Sequence, residues 1–155
     1  MLFDARTEFA DAVAVTYAAT TANLGSQIDT GSVSRDLGSG KPVYVVVTVD
    51  TAITVATTPG TIQYRIVSDD TASISTTTCT VHASSPAYAT SATATAATKT
   101  TAGSVAWVCA LPQGATYEEF LGVQVVVATN TIAAGKVNAF LTTDPTGWVA
   151  TTDGI

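Results

Sequence analysis

The chain is expected to fold as an all-β protein, an antiparallel two-sheet sandwich with an N-terminal arm, and three observations predict it. Roughly one of its 155 residues in five is Thr, with Ala and Val also abundant, and Thr and Val suit the pleated, half-buried surface of a sheet. Apolar residues recur at every second position in several runs that end at Gly, Pro, Asn or Asp, the period of a strand. Strong helix formers such as Leu, Glu and Lys are few, and no helical stretch is long enough to cross between parallel strands.

Residues 1–155 fit one domain. At this length folding buries about 70% of the surface the unfolded chain exposes, so a core forms without metal or disulfide staples. Within it, residues 1–19 read as an N-terminal arm and first strand. Phe3, Phe9 and Tyr17 are spread among small residues, and Val13, Val15 and Tyr17 alternate. The first ten residues suit an extended arm or a short helical turn, whose two Phe rings must bury on the chain's own sheet or on a partner.

Residues 20–41 are loop-like. From Val43 to Val49, VYVVVTV is an almost continuous apolar run that suits an inner strand covered on both faces, extended by Ile53 and Val55. Thr58-Pro59-Gly60 marks a turn in which Gly60 takes a positive φ. Ile62, Tyr64 and Ile66 then alternate with Gln63, Arg65 and Val67, a strand with one wet face that Asp69-Asp70 closes. Residues 72–82 alternate weakly. The stretch 83–103 is a Thr/Ala-rich surface connection with room for an edge strand.

Val105, Trp107, Cys109 and Leu111 alternate against Ala106, Val108 and Ala110 up to Pro112. Residues 118–143 read as the central hairpin. Leu121, Val123, Val125 and Val127 form one arm, Val137, Ala139 and Leu141 the other, and residues 130–135 the reversal. Asp144-Pro145 turns the chain into a tail carrying Trp148. Seven or eight strands with long connections fit a jelly roll, and periodicity fits an immunoglobulin-like sandwich equally.

Charge and motifs argue against several functions. A formal net charge of −6 opposes nucleic-acid binding, which needs clustered Lys and Arg. No apolar run reaches the ~18 residues of a membrane span, and residues 1–6 do not begin a secretory signal, so the protein is expected to act where it is made. Cys79 and Cys109 could pair if their strands were neighbours, but two buried thiols are the expected state.

The one histidine, His82, reads as a strand-end residue, and no G-x-S-x-G elbow is present. Asp69-Asp70 and Glu118-Glu119 are neighbours whose side chains diverge along a strand, so neither doublet is an acid–base pair. Zinc spacings are absent from the sequence, and a calcium site would have to draw on loop acids such as Asp29, Asp36 and Asp144. The sequence therefore predicts no enzyme, no cofactor and no metal.

Five stretches carry a resemblance: FADAVAVTYAAT (9–20), QIDTG (27–31), RDLGSGKPVYVVV (35–47), WVCALPQGATYEEFLGVQVVV (107–127) and TIAAGKVNAFLTTD (131–144). In order and spacing the chain resembles the jelly-roll capsid cement, or decoration, proteins of short-tailed and related tailed phages. It departs from that pattern at Glu118-Glu119, where the family usually has a basic residue, and over residues 89–101.

The resemblance implies a structural virion protein, made in the host cytoplasm, that sits on the outside of an expanded capsid. There a homodimer or homotrimer would bridge major capsid subunits and stabilise the shell against internal DNA pressure. On that reading Phe3, Phe9, Tyr17 and Trp148 are the candidate capsid or subunit contacts, with packing at the sandwich end as the alternative for each. The competing class is a carbohydrate- or receptor-binding jelly-roll module on the phage surface, which would need exposed aromatics aligned on a sheet face.

Overall fold

The computed structural model describes residues 5–31, 37, 40–94 and 98–146. A 3-10 turn, Ala5–Thr7, leads into β1 (Glu8–Ala14), followed by β2 (Thr21–Asn23), β3 (Ile28–Asp29), β4 (Tyr44–Val55) and β5 (Gly60–Asp69). Next come β6 (Thr80–Ser84), β7 (Tyr88–Thr90), β8 (Val105–Ala110), β9 (Phe120–Ala128) and β10 (Ile132–Thr142).

Every pairing is antiparallel. The first sheet runs β1-β10-β4-β8; the second runs β2-β9-β5-β6, with β3 also on β9 and β7 also on β5. Counting β2 with β3 and β6 with β7 as single positions gives eight, ordered 1-8-3-6 in one sheet and 2-7-4-5 in the other. That is the two-sheet arrangement of a jelly roll, with successive strands passing between sheets except at positions 4 and 5, which are neighbours in the second sheet.

The inner faces supply the core. Val45, Val47, Val49, Ile53, Val137 and Ala139 from the first sheet meet Ile62, Tyr64, Ile66, Leu121, Val123, Val125 and Val127 from the second. Val46 and Thr48, which alternate with those core valines on β4, are buried too, so VYVVVTV is indeed an inner strand covered on both faces. Asp50-Thr51 does not end it. The chain continues to Val55 with register shifts against β10.

The expected hairpin of residues 118–143 is corrected. β9 belongs to the second sheet and β10 to the first, so the two arms lie across the sandwich from each other. Alternation specifies which face of a strand is apolar and says nothing of its edge partner. The link through residues 129–131 crosses between sheets. Thr129 takes a φ of 74° there, and Asn130 Nδ2 donates to Thr58 O at 2.7 Å, tying it to the link that carries β4 into β5.

Gly60 is likewise not the positive-φ residue of a turn. It starts β5, and a Cβ on it would lie 2.7 Å from the Ala128 carbonyl oxygen; close backbone approach is what requires glycine. The first strand also begins earlier than the Val13–Val15–Tyr17 alternation predicts. β1 starts at Glu8, and Ala12, at φ 47°, breaks its regularity.

The stretch 83–103 is less peripheral than its composition predicts. Ser85, Thr90 and Thr100 are buried, and Thr100 O and Ser91 O accept the N–H groups of Ile53 and Val55 at 2.8 and 3.1 Å. It thereby completes the far end of β4.

Candidate functional site

At one end of the second sheet, β5, β6 and the approach to β9 bring together Ser68, His82, Thr80, Tyr117 and Glu118. Buried Ser68 is the hub. Its Oγ donates to Glu118 Oε2 at 2.8 Å, accepts from the Glu118 N–H at 3.2 Å, and lies 2.7 Å from His82 Nε2. Its one proton is given to the carboxylate, so the imidazole nitrogen must donate. A nucleophilic serine needs the reverse, an imidazole nitrogen accepting its proton. Thr80 Oγ1 holds the other carboxylate oxygen at 3.2 Å, and the His82 ring rests on Tyr117 with centroids 4.2 Å apart. Burial pushes the His82 pKa down, with Glu118 opposing. The arrangement braces three segments through a neutral imidazole.

The outer face of the second sheet is covered by the 70–79 loop. Asp69 shapes that loop: its Oδ2 accepts the Ser75 N–H at 2.8 Å and its Oδ1 the Thr71 N–H at 3.2 Å. These bonds hold its pKa below the usual carboxylate value. Ile74 then drops onto the glycine of β9; a Cβ on Gly122 would stand 2.5 Å from Ile74 Cδ1. Buried Gln124 donates to Asn23 Oδ1 at 2.9 Å and Ser75 O at 3.0 Å, while Asn23 Nδ2 donates to Ile74 O at 2.7 Å. A polar residue buried in a strand is thus fully used. Cys79 Sγ also reaches Gln124 Oε1 at 3.6 Å.

A cavity of about 20 Å³ lies beneath this cover, between Leu24, Gly25, Ile74 and Gly122. A larger open depression of about 310 Å³ lies between the N-terminal segment and β3, lined by Arg6, Glu8 and Asp29 among others. Partial burial, with Asp11 nearby, raises the Glu8 pKa. Among the described residues no three His, Cys, Asp or Glu side chains form a group able to hold a metal ion. Asp29 Oδ1 accepts the Gly31 N–H and Asp144 Oδ1 the Thr146 N–H, both turn-forming bonds; Asp36 lies outside the described residues. Cys79 and Cys109 are free thiols, but both are half-buried, which corrects the expectation that they are buried.

The candidate contact residues separate. Phe3 and Trp148 lie outside the described residues. Phe9 is 2% exposed and belongs to the core, so for this ring the structure takes the internal-packing alternative and corrects the expectation of a contact. Tyr17 is half-buried against the same core, its hydroxyl 3.4 Å from Asn23 O.

The exposed large hydrophobic residues among those described are instead Val81 and Val108, which the sequence did not single out. For Val108 the signal was present in the alternation, which set it opposite Trp107 and Cys109. The Ser68–His82–Glu118 hub had none, since its members are 14 and 50 residues apart.

A protein-family model, Bbp16, matches residues 9–141. Its name points to phage- or virion-related proteins. No curated protein matches the sequence.

Proposed function

The chain belongs to the Bbp16 family, and on that premise we propose that it is a cement protein of a phage capsid. It decorates the outside of the expanded shell, bridges neighbouring major capsid subunits and needs no catalysis. The observation that carries this reading is the family match over 9–141, together with the resemblance of the same stretches to capsid decoration proteins. Physical sense supports it. DNA under pressure loads the joints between capsomers, and many copies of a modest contact add up through avidity. A sandwich whose central strands are buried on both faces is a stiff body to place across such a joint. The partners are the major capsid protein and further copies of this chain, and Tyr17, Phe3 and Trp148 remain the contact candidates.

Co-sedimentation with expanded capsids stripped of decoration tests the proposal. Saturable binding at a copy number matching one class of symmetry axis, with a raised disruption temperature, is expected. Absence of binding to capsids of the source phage would overturn it.

A further inference from the structure

We propose that His82 is an acid-operated latch on the edge strand β6: on taking up a proton its ring leaves Ser68 and Tyr117, and the Thr80–His82 end of β6 opens while the rest of the sandwich stays folded. The ladder is weak at this point. Ile66 pairs with Ala83 and the next residue, Val67, with Val81, so His82 is the extra residue of a bulge and has no partner on β5. β6 keeps four ladder pairs and has no strand beyond it among the described residues. Side chains therefore hold this end. His82 Nε2 meets Ser68 Oγ at 2.7 Å, its ring stacks on Tyr117, and Thr80 Oγ1 donates to Glu118 Oε1 at 3.2 Å.

That clasp is built for a neutral ring. Ser68 gives its proton to Glu118 Oε2, so His82 Nε2 donates and Nδ1 is bare. A second proton would go to Nδ1, yet among the described residues the ring's one hydrogen bond is through Nε2. Both oxygens of Glu118 are already taken, Oε2 by Ser68 and Oε1 by Thr80. Water is the acceptor left to the new N–H, and the ring reaches it best by swinging out from the sheet edge. The Glu118 charge and the face of Tyr117 favour a cation in place. Burial opposes them and pushes the His82 pKa down. The other titratable groups nearby are engaged elsewhere. On β5 the Asp69 carboxylate accepts the Thr71 and Ser75 amides, in the 70–79 loop the Cys79 thiol reaches Gln124, and the Tyr117 hydroxyl donates to Pro112 O at 2.8 Å. β6 itself, TVHAS, has no second ionisable side chain.

Opening stays local because the neighbouring strands are held independently. β5 is paired with β9 all the way from Thr61 to Asp69, and Tyr64 and Ile66 of β5 and buried Tyr117 belong to the core. A short edge strand lies at the low-stability end of a fold. Releasing this end of β6 uncovers the backbone of Val67 and Ser68 on β5.

The full chain carries one histidine, so the imidazole C–H signal in an NMR titration reports this ring alone. It is expected to titrate below pH 6.5. Amide exchange, corrected for its intrinsic pH dependence, should show protection falling by up to about tenfold per pH unit below about 6.5 at Thr80–His82 and at Glu118, whose N–H donates to Ser68 Oγ. At pH 5.5 these amides should be at least tenfold less protected than those of Val123 and Val125 in β9. His82→Gln, which keeps a donor and does not titrate, should remove the pH dependence at β6. A ring titrating at or above 6.5, equal protection at β6 and β9, or a pH dependence surviving in His82→Gln would each overturn the latch. The ring titration decides in wild type even if the variant fails to fold. No capsid enters the measurement, so a failed latch leaves the cement role standing.

Discussion

The outer face of the second sheet and the outer edge of the first are treated in opposite ways. Over β9 and β5 the 70–79 loop is folded back, Ile74 fills the space left by Gly122, and Gln124 and Asn23 satisfy the loop's carbonyls. At β8 no strand among the described residues lies beyond Val108 and Ala110, the Cys109 thiol donates to the Ala110 carbonyl at 3.3 Å, and no charge guards the edge. The covered region has given up its surface to the protein's own stability, whereas the bare edge leaves β8 with no strand on its outer side among the described residues. On the proposed cement role, this difference separates what must stay fixed from what can be shared.

The largest effect should come from the covered side. Gly25 has a φ of 64°, and a Cβ there would lie 2.0 Å from the Phe9 carbonyl oxygen, which already accepts the Ser26 N–H at 2.7 Å. Gly25→Ala should cost about 3 kcal/mol through backbone displacement and left-handed strain, read as a lowered urea midpoint with unchanged slope. A loss below about 1 kcal/mol would show that β1 and the 24–26 segment separate easily.

Removing the plug itself should matter less. Ile74→Ala is expected to destabilise by about 2 kcal/mol, the low end for a buried isoleucine because a loop can settle into the space. Hydrogen exchange should speed up at the Ser75 amide, which Asp69 holds. An unchanged midpoint would mean the cover is ornamental, and the contrast with β8 would lose its meaning.

A smaller effect is expected from pH. Burial lowers the folded-state pKa of His82 below its ordinary value near 6.5, so between the two values the unfolded chain binds more protons. The contribution is present above about pH 6.5 and is lost as pH falls through the folded value. Glu118, the charged group facing the ring, reduces the shift without reversing it. Unfolding free energy should therefore be flat from pH 8 to 6.5 and decline toward pH 5, with His82→Gln removing most of the decline. A slope surviving that substitution would place its origin elsewhere.

The smallest effect on the monomer belongs to Val108→Lys, within about 0.5 kcal/mol of wild type, since this side chain is already 41% exposed. A large loss would show that the edge is part of the core after all.

The sequence by itself determined the longer strands and their apolar faces, whereas residues 20–41, which read as loop-like, hold the short strands β2 and β3. Period-two valines place β4, β5, β8 and β9 almost where they lie, because a residue's side of a sheet depends only on its parity along the chain. The same parity already set Val108 outward. Which strand pairs with which depended on long-range geometry that local pattern does not encode. β9 and β10 read as one hairpin and lie in opposite sheets; Gly60 and Gly122 read as turn and strand residues, and each exists for a contact, with Ala128 and Ile74 respectively. Phe9 reads as a possible contact and is core because β1 pairs with β10 across 122 to 132 residues of chain. Tertiary structure decided these points because edge pairing and close approach are properties of two segments at once, and neither segment's composition contains the other.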